Sequence, residues 1–136
     1  MNGYFDGERI YADIEIKGVF STQATKLKGQ IDTGYSGYLS LPFNEAFPLG
    51  LVLQGTQAYT LADGSPSYNF VCLGTLIVDG RELVIPVDVS AKASLLIGIG
   101  LLGKIQNNLL IDFENKKVLF KEFKIKPPIA SKPVEK

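Results

Sequence analysis

Apolar and polar side chains alternate strictly along Ile10-Tyr11-Ala12-Asp13-Ile14-Glu15-Ile16-Lys17, the period-2 signature of a strand with one buried face. After Gly18 the alternation returns in Lys26-Leu27-Lys28-Gly29-Gln30-Ile31, and Tyr38-Leu39-Ser40-Leu41 reads as a further short strand. Asn44-Glu45-Ala46-Phe47 suits one helical turn, which Pro48 is expected to stop. Gln57–Leu61 and Ser67–Leu73 read as strands on either side of Ala62-Asp63-Gly64-Ser65. Asp79-Gly80, between Leu76-Ile77-Val78 and Leu83-Val84-Ile85, is a strong hairpin signal. Leu109-Leu110-Ile111-Asp112-Phe113 and Val118-Leu119-Phe120 make a last hairpin across Asn115-Lys116. Strands recur about every 8–12 residues with turn chemistry between them. No helical period is sustained, and the pattern leaves room only for a short helix after Gly98. The expected fold class is all-β, a sandwich or a closed barrel with at most one or two short helices.

Composition adds limits to that picture. The 136 residues, 46% hydrophobic and 21% charged, fit one globular domain with a real core. Fourteen basic and fourteen acidic residues cancel, so neither nucleic acid nor a membrane surface is an expected partner. The single cysteine, Cys72, has no partner for an internal disulfide and reads as a buried, inert thiol. No basic region followed by an apolar stretch opens the chain, so no signal peptide is expected. The longest uncharged apolar run, Ser94 to Gly103, falls well short of the ~20 residues that cross a bilayer. A soluble cytoplasmic protein is the expectation. From Lys121 the chain turns Lys- and Pro-rich, which predicts a domain over residues 1–122 and a flexible tail over 123–136.

Histidine is absent. Its absence removes Ser-His and Cys-His nucleophile systems, histidine-ligated zinc and histidine bases. Any acid–base chemistry must come from carboxylates, Lys or Tyr. One carboxylate stands in suggestive company: Ile31-Asp32-Thr33-Gly34 directly follows a predicted strand, and Ser36-Gly37 follows it. An Asp-Thr-Gly triplet arises by chance in about one chain in forty of this length, given ordinary residue usage. Asp and Gly also make plain turns after strands. The surroundings sharpen the signal. The strand Leu39-Ser40-Leu41-Pro42 follows, a hairpin tip with one glycine comes next, and an apolar-apolar-Gly element, Leu96-Ile97-Gly98, lies further along.

In these motifs, from Ile10 to Phe120, the chain resembles the retropepsin-like, single-domain aspartic proteases. It is most similar to bacterial and archaeal members with an aromatic residue after Asp-Thr-Gly, here Tyr35 in Asp-Thr-Gly-Tyr-Ser-Gly-Tyr-Leu-Ser-Leu-Pro. Leu-Leu-Ile-Gly-Ile-Gly-Leu-Leu resembles the family's second signature, which packs behind the catalytic loop. Thr-Leu-Ala-Asp-Gly-Ser stands where the family has its substrate-covering flap. The resemblance implies a retropepsin-like half-domain, peptide-bond hydrolysis, a peptide or protein substrate, and no metal or organic cofactor. It assigns catalysis to Asp32, loop support to Thr33 and Gly34, and substrate contact to Tyr35, Ser36, Ala62, Asp63, Gly64 and Ser65.

Two carboxyl groups sharing one proton can hydrolyse a peptide without metal or histidine. The ionised one takes a proton from water while the protonated one donates to the carbonyl oxygen. Two charges ~3 Å apart repel by about 5 kcal/mol at an effective dielectric of ~20, which keeps one of them protonated. Only one Asp-Thr-Gly is present. Neither Asp63-Gly64-Ser65 nor Asp112-Phe113 combines an apolar lead with a following Thr-Gly. One chain therefore carries half a site, and a two-fold homodimer is expected to complete it. In the resembling family, the Thr hydroxyl bonds across to the partner, and the N- and C-terminal strands interleave at the interface.

The sequence departs from the family pattern at three places. Ile99 and Ser36 occupy the positions of an Arg and an acid that brace the catalytic loop in retroviral enzymes. Tyr35 replaces a small residue, so it must either intrude on substrate space or repack the loop. The flap candidate holds a single glycine, Gly64. A dimeric peptide-binding or assembly domain with the same fold and no cleavage is the alternative reading. Gly98-Ile99-Gly100-Leu101-Leu102-Gly103 also matches a dinucleotide fingerprint. It lacks the crossover helix such a site needs, since Lys104-Ile105-Gln106-Asn107-Asn108 is short and turn-rich.

Overall fold

The computed structural model describes residues 1–60, 62–105 and 107–122. The predicted tail over 123–136 lies outside them, as do Leu61 and Gln106. The strands are β1 (Gly3–Phe5), β2 (Ile10–Gly18), β3 (Thr25–Asp32), β4 (Leu39–Pro42), β5 (Val52–Thr60), β6 (Pro66–Val78), β7 (Arg81–Ser90), β8 (Leu96–Gly98), β9 (Asn107–Asp112) and β10 (Lys117–Glu122). Two short helices, α1 (Phe43–Ala46) and α2 (Ile99–Ile105), and a 3-10 turn, Phe47–Leu49, complete the elements among the described residues.

Strands β1-β2-β3-β8-β4-β7-β6-β5 hydrogen-bond in that order, and a further pairing of β2 with β6 closes the middle six into a barrel. Closure follows from the alternation. On β2, Ala12, Ile14 and Ile16 are completely or almost completely buried, while Asp13, Glu15 and Lys17 face outward. Leu39 and Leu41, Leu76, Ile85 and Val87, and Ile97 meet them from the other staves, all with no exposed surface. Each such aliphatic side chain contributes about 1.5–3 kcal/mol through burial. Outside the barrel, Lys17 of β2 pairs with Glu82 of β7 at 2.9 Å across the intervening β6.

Several elements run longer than the pattern predicted. The two stretches Ser67–Leu73 and Leu76–Val78 are one thirteen-residue strand, β6. Its first part pairs with β5 and its later part with β2 and β7, so one strand serves two neighbourhoods and shows two local patterns. Pro48 does not end the helical segment but sits at the start of the 3-10 turn, where its missing N–H costs nothing. β1 was not visible in the sequence because three residues carry no period. The Asp79-Gly80 hairpin is as predicted, with φ of 49° and 77°, the left-handed pair that a type I′ turn demands.

β9 and β10 form a separate two-stranded sheet. Its inner face lays Leu109 and Phe120 against the barrel core, while Val118, 5% exposed, sits over Gly3 of β1. Its outer face carries the cross-strand pair Leu110 and Leu119, 49% and 43% exposed. Cys72 is buried as expected, and burial raises its thiol above the ordinary range. No helix among the described residues is long and apolar enough to cross a membrane.

Candidate active site

Asp32 is the last residue of β3, and the chain leaves the sheet there to form a loop that re-enters as β4 at Leu39. Between those two strands lies β8, parallel to β3 with Asp32 opposite Gly98, and antiparallel to β4 with Leu39 opposite Ile97. The strand that enters the loop and the strand that leaves it are therefore held by the same short segment. Three backbone bonds continue the clamp: Gly98 N–H to the Tyr38 carbonyl at 3.0 Å, Ile99 N–H to Tyr35 at 2.9 Å, and Gly100 N–H to Gly37 at 3.1 Å.

The tightness of this clamp explains the glycine. A methyl on Gly98 would stand 2.1 Å from the Gly37 carbonyl oxygen and 2.7 Å from both the Tyr35 ring and the Tyr35 carbonyl oxygen. No side chain fits. The dinucleotide-like fingerprint is thus a packing device. Its helix, α2, has seven residues and leads to the β9–β10 hairpin, not to a parallel strand.

Within the loop, Gly34 N–H donates to Asp32 Oδ1 at 2.9 Å and Tyr35 N–H donates to the Asp32 carbonyl at 3.1 Å. The Asp32 side chain is half-buried, and Thr33, Gly34 and Ser36 are exposed around it. A carboxyl group held by a backbone N–H at the surface of a loop can accept a proton from water when ionised and donate one when protonated. Tyr35 points away from this surface. Its phenol donates to Asp88 on β7, with the Leu39 carbonyl a second acceptor at 3.3 Å. Burial first, then the hydrogen bond to Asp88 and its charge, push the phenol far above the usual tyrosine range, so it remains a donor at any ordinary pH. Of the two outcomes open for this aromatic residue, the loop has repacked around it.

Asp88 went unnoticed in the sequence. The available signal was one acid within Val87-Asp88-Val89, where both valines are buried, at 0% and 3% exposure, and the acid must face the opposite side. Its partner could not be read, because β4 and β7 pair in parallel from distant parts of the chain.

The predicted flap residues fall at the tip of the β5–β6 hairpin. From Phe70 onward β6 has β7 as a second neighbour, whereas Pro66–Asn69 pair only with β5, so the end of the hairpin projects as a two-stranded ribbon. Asp63 Oδ1 accepts from Ser65 N–H at 2.9 Å and from the Ser65 hydroxyl at 2.6 Å, and Gly64 turns with φ of 86°. Those bonds, the hydroxyl first, hold the exposed Asp63 below the usual carboxylate range. Asp112 is a turn carboxylate, accepting from the Asn115 backbone at 3.1 Å and its side chain at 2.8 Å.

No protein-family model matches the chain, and no curated protein matches it. Solved structures do. The EIAV protease in complex with the inhibitor HBY-793 superposes with a TM-score of 0.57 at 17% identity, over 76% of this chain and 94% of the other. The simian foamy virus (mac) protease gives 0.49 at 21% identity, over 73% and 100% of the two chains. The retroviral protease-like domain of Ddi1 from Leishmania major gives 0.47 at 14% identity, over 82% and 88%. At these identities the likeness is one of fold. The six-stranded closed barrel with two short helices is the retropepsin-like fold.

Proposed function

We propose that this chain is an aspartic endopeptidase that acts as a homodimer, of the type with an aromatic residue after Asp-Thr-Gly. The observation that carries the reading is Asp32 at the end of β3. It is anchored by Gly34 and clamped from behind by β8, in a retropepsin-like barrel whose chain holds one such motif. A second copy supplies the second carboxyl group. The pair shares one proton, the ionised carboxylate takes a proton from water, and the other donates to the peptide oxygen. The exposed Thr33 hydroxyl is available to bond across the axis, and Gly34 keeps the loop open beside Asp32. Ser36 contributes to the floor of the cleft, with Tyr35, expected from the sequence to contact substrate, instead packed behind the loop against Asp88, and Ala62, Asp63, Gly64 and Ser65 close over it. The apolar pair Leu110 and Leu119 and the half-exposed Ile99 next to the clamp supply apolar surface for the partner. Incubating the protein with a diverse peptide library between pH 4 and 7 tests the activity. Binding without any cleavage across that range would leave a peptide-binding domain instead.

Assembly carries its own pH dependence. Two facing Asp32 carboxylates repel when both are ionised, so the dimer binds a proton that two separate monomers release. Proton uptake on association means that acid favours the dimer and rising pH weakens it. Sedimentation equilibrium from pH 4 to 8 should show dissociation increasing with pH. A protein that stays monomeric at high micromolar concentration throughout has no second half-site.

Gly64 offers a cleaner probe of the flap. A methyl there meets nothing within 4 Å, but its φ of 86° is strained for any L side chain. Gly64→Val should therefore strain the hairpin tip but leave the barrel core folded in a thermal melt, while cutting turnover about tenfold or more through impaired closure. Unchanged turnover would mean that another element covers the substrate.

A further inference from the structure

The backbone clamp from β8 grips the catalytic loop on one side. On the other side the loop has a side-chain tether, the Tyr35 phenol reaching Asp88 on β7. Asp88 is a firm anchor. It lies in a strand paired on both flanks, with Ser40 of β4 and Val71 of β6 opposite it, and the valines on either side are core residues. The chain also makes room for the ring. A methyl on Gly37 would stand 2.4 Å from the Tyr35 hydroxyl, and one on Gly98 would stand 2.7 Å from the ring. Two positions without a β-carbon thus flank one aromatic side chain. Ser36 and Ile99, a hydroxyl and an aliphatic group, cannot supply a charged tether at this end of the loop.

We propose that Tyr35 and Asp88 form a positioning pair, a neutral-donor brace that fixes the catalytic loop to the barrel wall and so sets the orientation of Asp32. The hydrogen bond ties residue 35, three positions past Asp32, to a strand otherwise remote in sequence. The phenol stays protonated, so the donor of this bond is kept across the range in which a shared-proton pair works. Neither residue touches the reacting atoms. Their effect is on geometry, and a displacement near 1 Å at a catalytic group can cost about 10²-fold in rate. For its catalytic readout the brace rests on the peptidase reading above. Its structural readout does not.

Tyr35→Phe is the direct probe, because the ring still fills the space over Gly37 and Gly98 while the donor is gone. It should lower kcat by about 10- to 100-fold with KM changed less than about threefold. Asp88→Ala should match it, and the double variant should be no worse than either single one, the mark of two residues acting through one bond. Asp88→Asn keeps an acceptor and should stay within about threefold of wild type. Independently of turnover, amide hydrogen exchange at Gly34, Ile99 and Gly100 should speed up in Tyr35→Phe and Asp88→Ala but not in Asp88→Asn. If Tyr35→Phe does not fold, the Asp88→Ala and Asp88→Asn comparison carries the same test. A wild-type protein that cleaves no peptide, with exchange changing as stated, removes the protease reading and keeps the brace. Wild-type kcat and wild-type exchange in Tyr35→Phe, or fully additive losses in the double variant, overturn the brace.

Discussion

Asp32→Asn should reduce peptide cleavage by about 10³-fold or more while leaving the dimer at least as tight as wild type. Asn keeps the shape of the side chain, and its amide oxygen can still accept the Gly34 N–H that now reaches Oδ1 at 2.9 Å. What it removes is the ionisable group, so water activation and proton donation fail together, each normally worth about 10²–10⁴ in rate. The same change abolishes the repulsion between the two carboxylates. With no proton left to share, association loses its acid dependence, and near neutral pH the Asn dimer should match or exceed wild type. Catalysis lost and assembly kept is a combination that a merely structural Asp would not produce. Parallel kinetics and sedimentation measure both. Equal cleavage by Asp32→Asn and wild type would reduce Asp32 to a turn residue and end the protease assignment.

Gly98→Ala should be the most damaging small substitution in the clamp. The added methyl would meet the Gly37 carbonyl oxygen at 2.1 Å and the Tyr35 carbonyl oxygen at 2.7 Å. These are backbone atoms of the Asp32 loop and cannot swing aside. Either the loop or β8 must shift, at a cost of about 3 kcal/mol of stability, and the bonds from Gly98, Ile99 and Gly100 go with it. Urea denaturation should show the unfolding free energy falling by that amount, and cleavage should drop by about 10²-fold in the fraction still folded. Gly103→Ala is the matched control. It belongs to the same glycine-rich run but lies in α2 with nothing within 4 Å of the added methyl, so Ala should be neutral or stabilise the helix by up to about 1 kcal/mol. If the two substitutions behave alike, the run does not act as a clamp.

The sequence alone determined the all-β class, the hairpins and the candidate acid, because each is written locally. Alternation over Ile10–Lys17 states which face of β2 is buried. Asp79-Gly80 states a tight turn, since few residue pairs accept two positive φ values. Asp32-Thr33-Gly34 after an apolar strand, in a chain without histidine, states that any acid–base chemistry is carboxylate chemistry. The short Leu96-Ile97-Gly98 element was legible as a companion of that loop only through resemblance.

Tertiary structure decided everything that depends on register between distant strands. Nothing in Leu96-Ile97-Gly98 by itself says that it lies between β3 and β4, since a three-residue strand has no period and its partners lie far away in sequence. The length of β6 was hidden because its two halves face different neighbours. The tether of the Asp32 loop was hidden for the same reason. Tyr35 stands three residues from Asp32 in sequence, but its acceptor, Asp88, arrives from 53 residues away through the parallel pairing of β4 with β7. A residue's type and its local period are properties of the chain. Which carboxylate a phenol meets is set only when the barrel closes, because closure alone fixes which strands become neighbours and in what register.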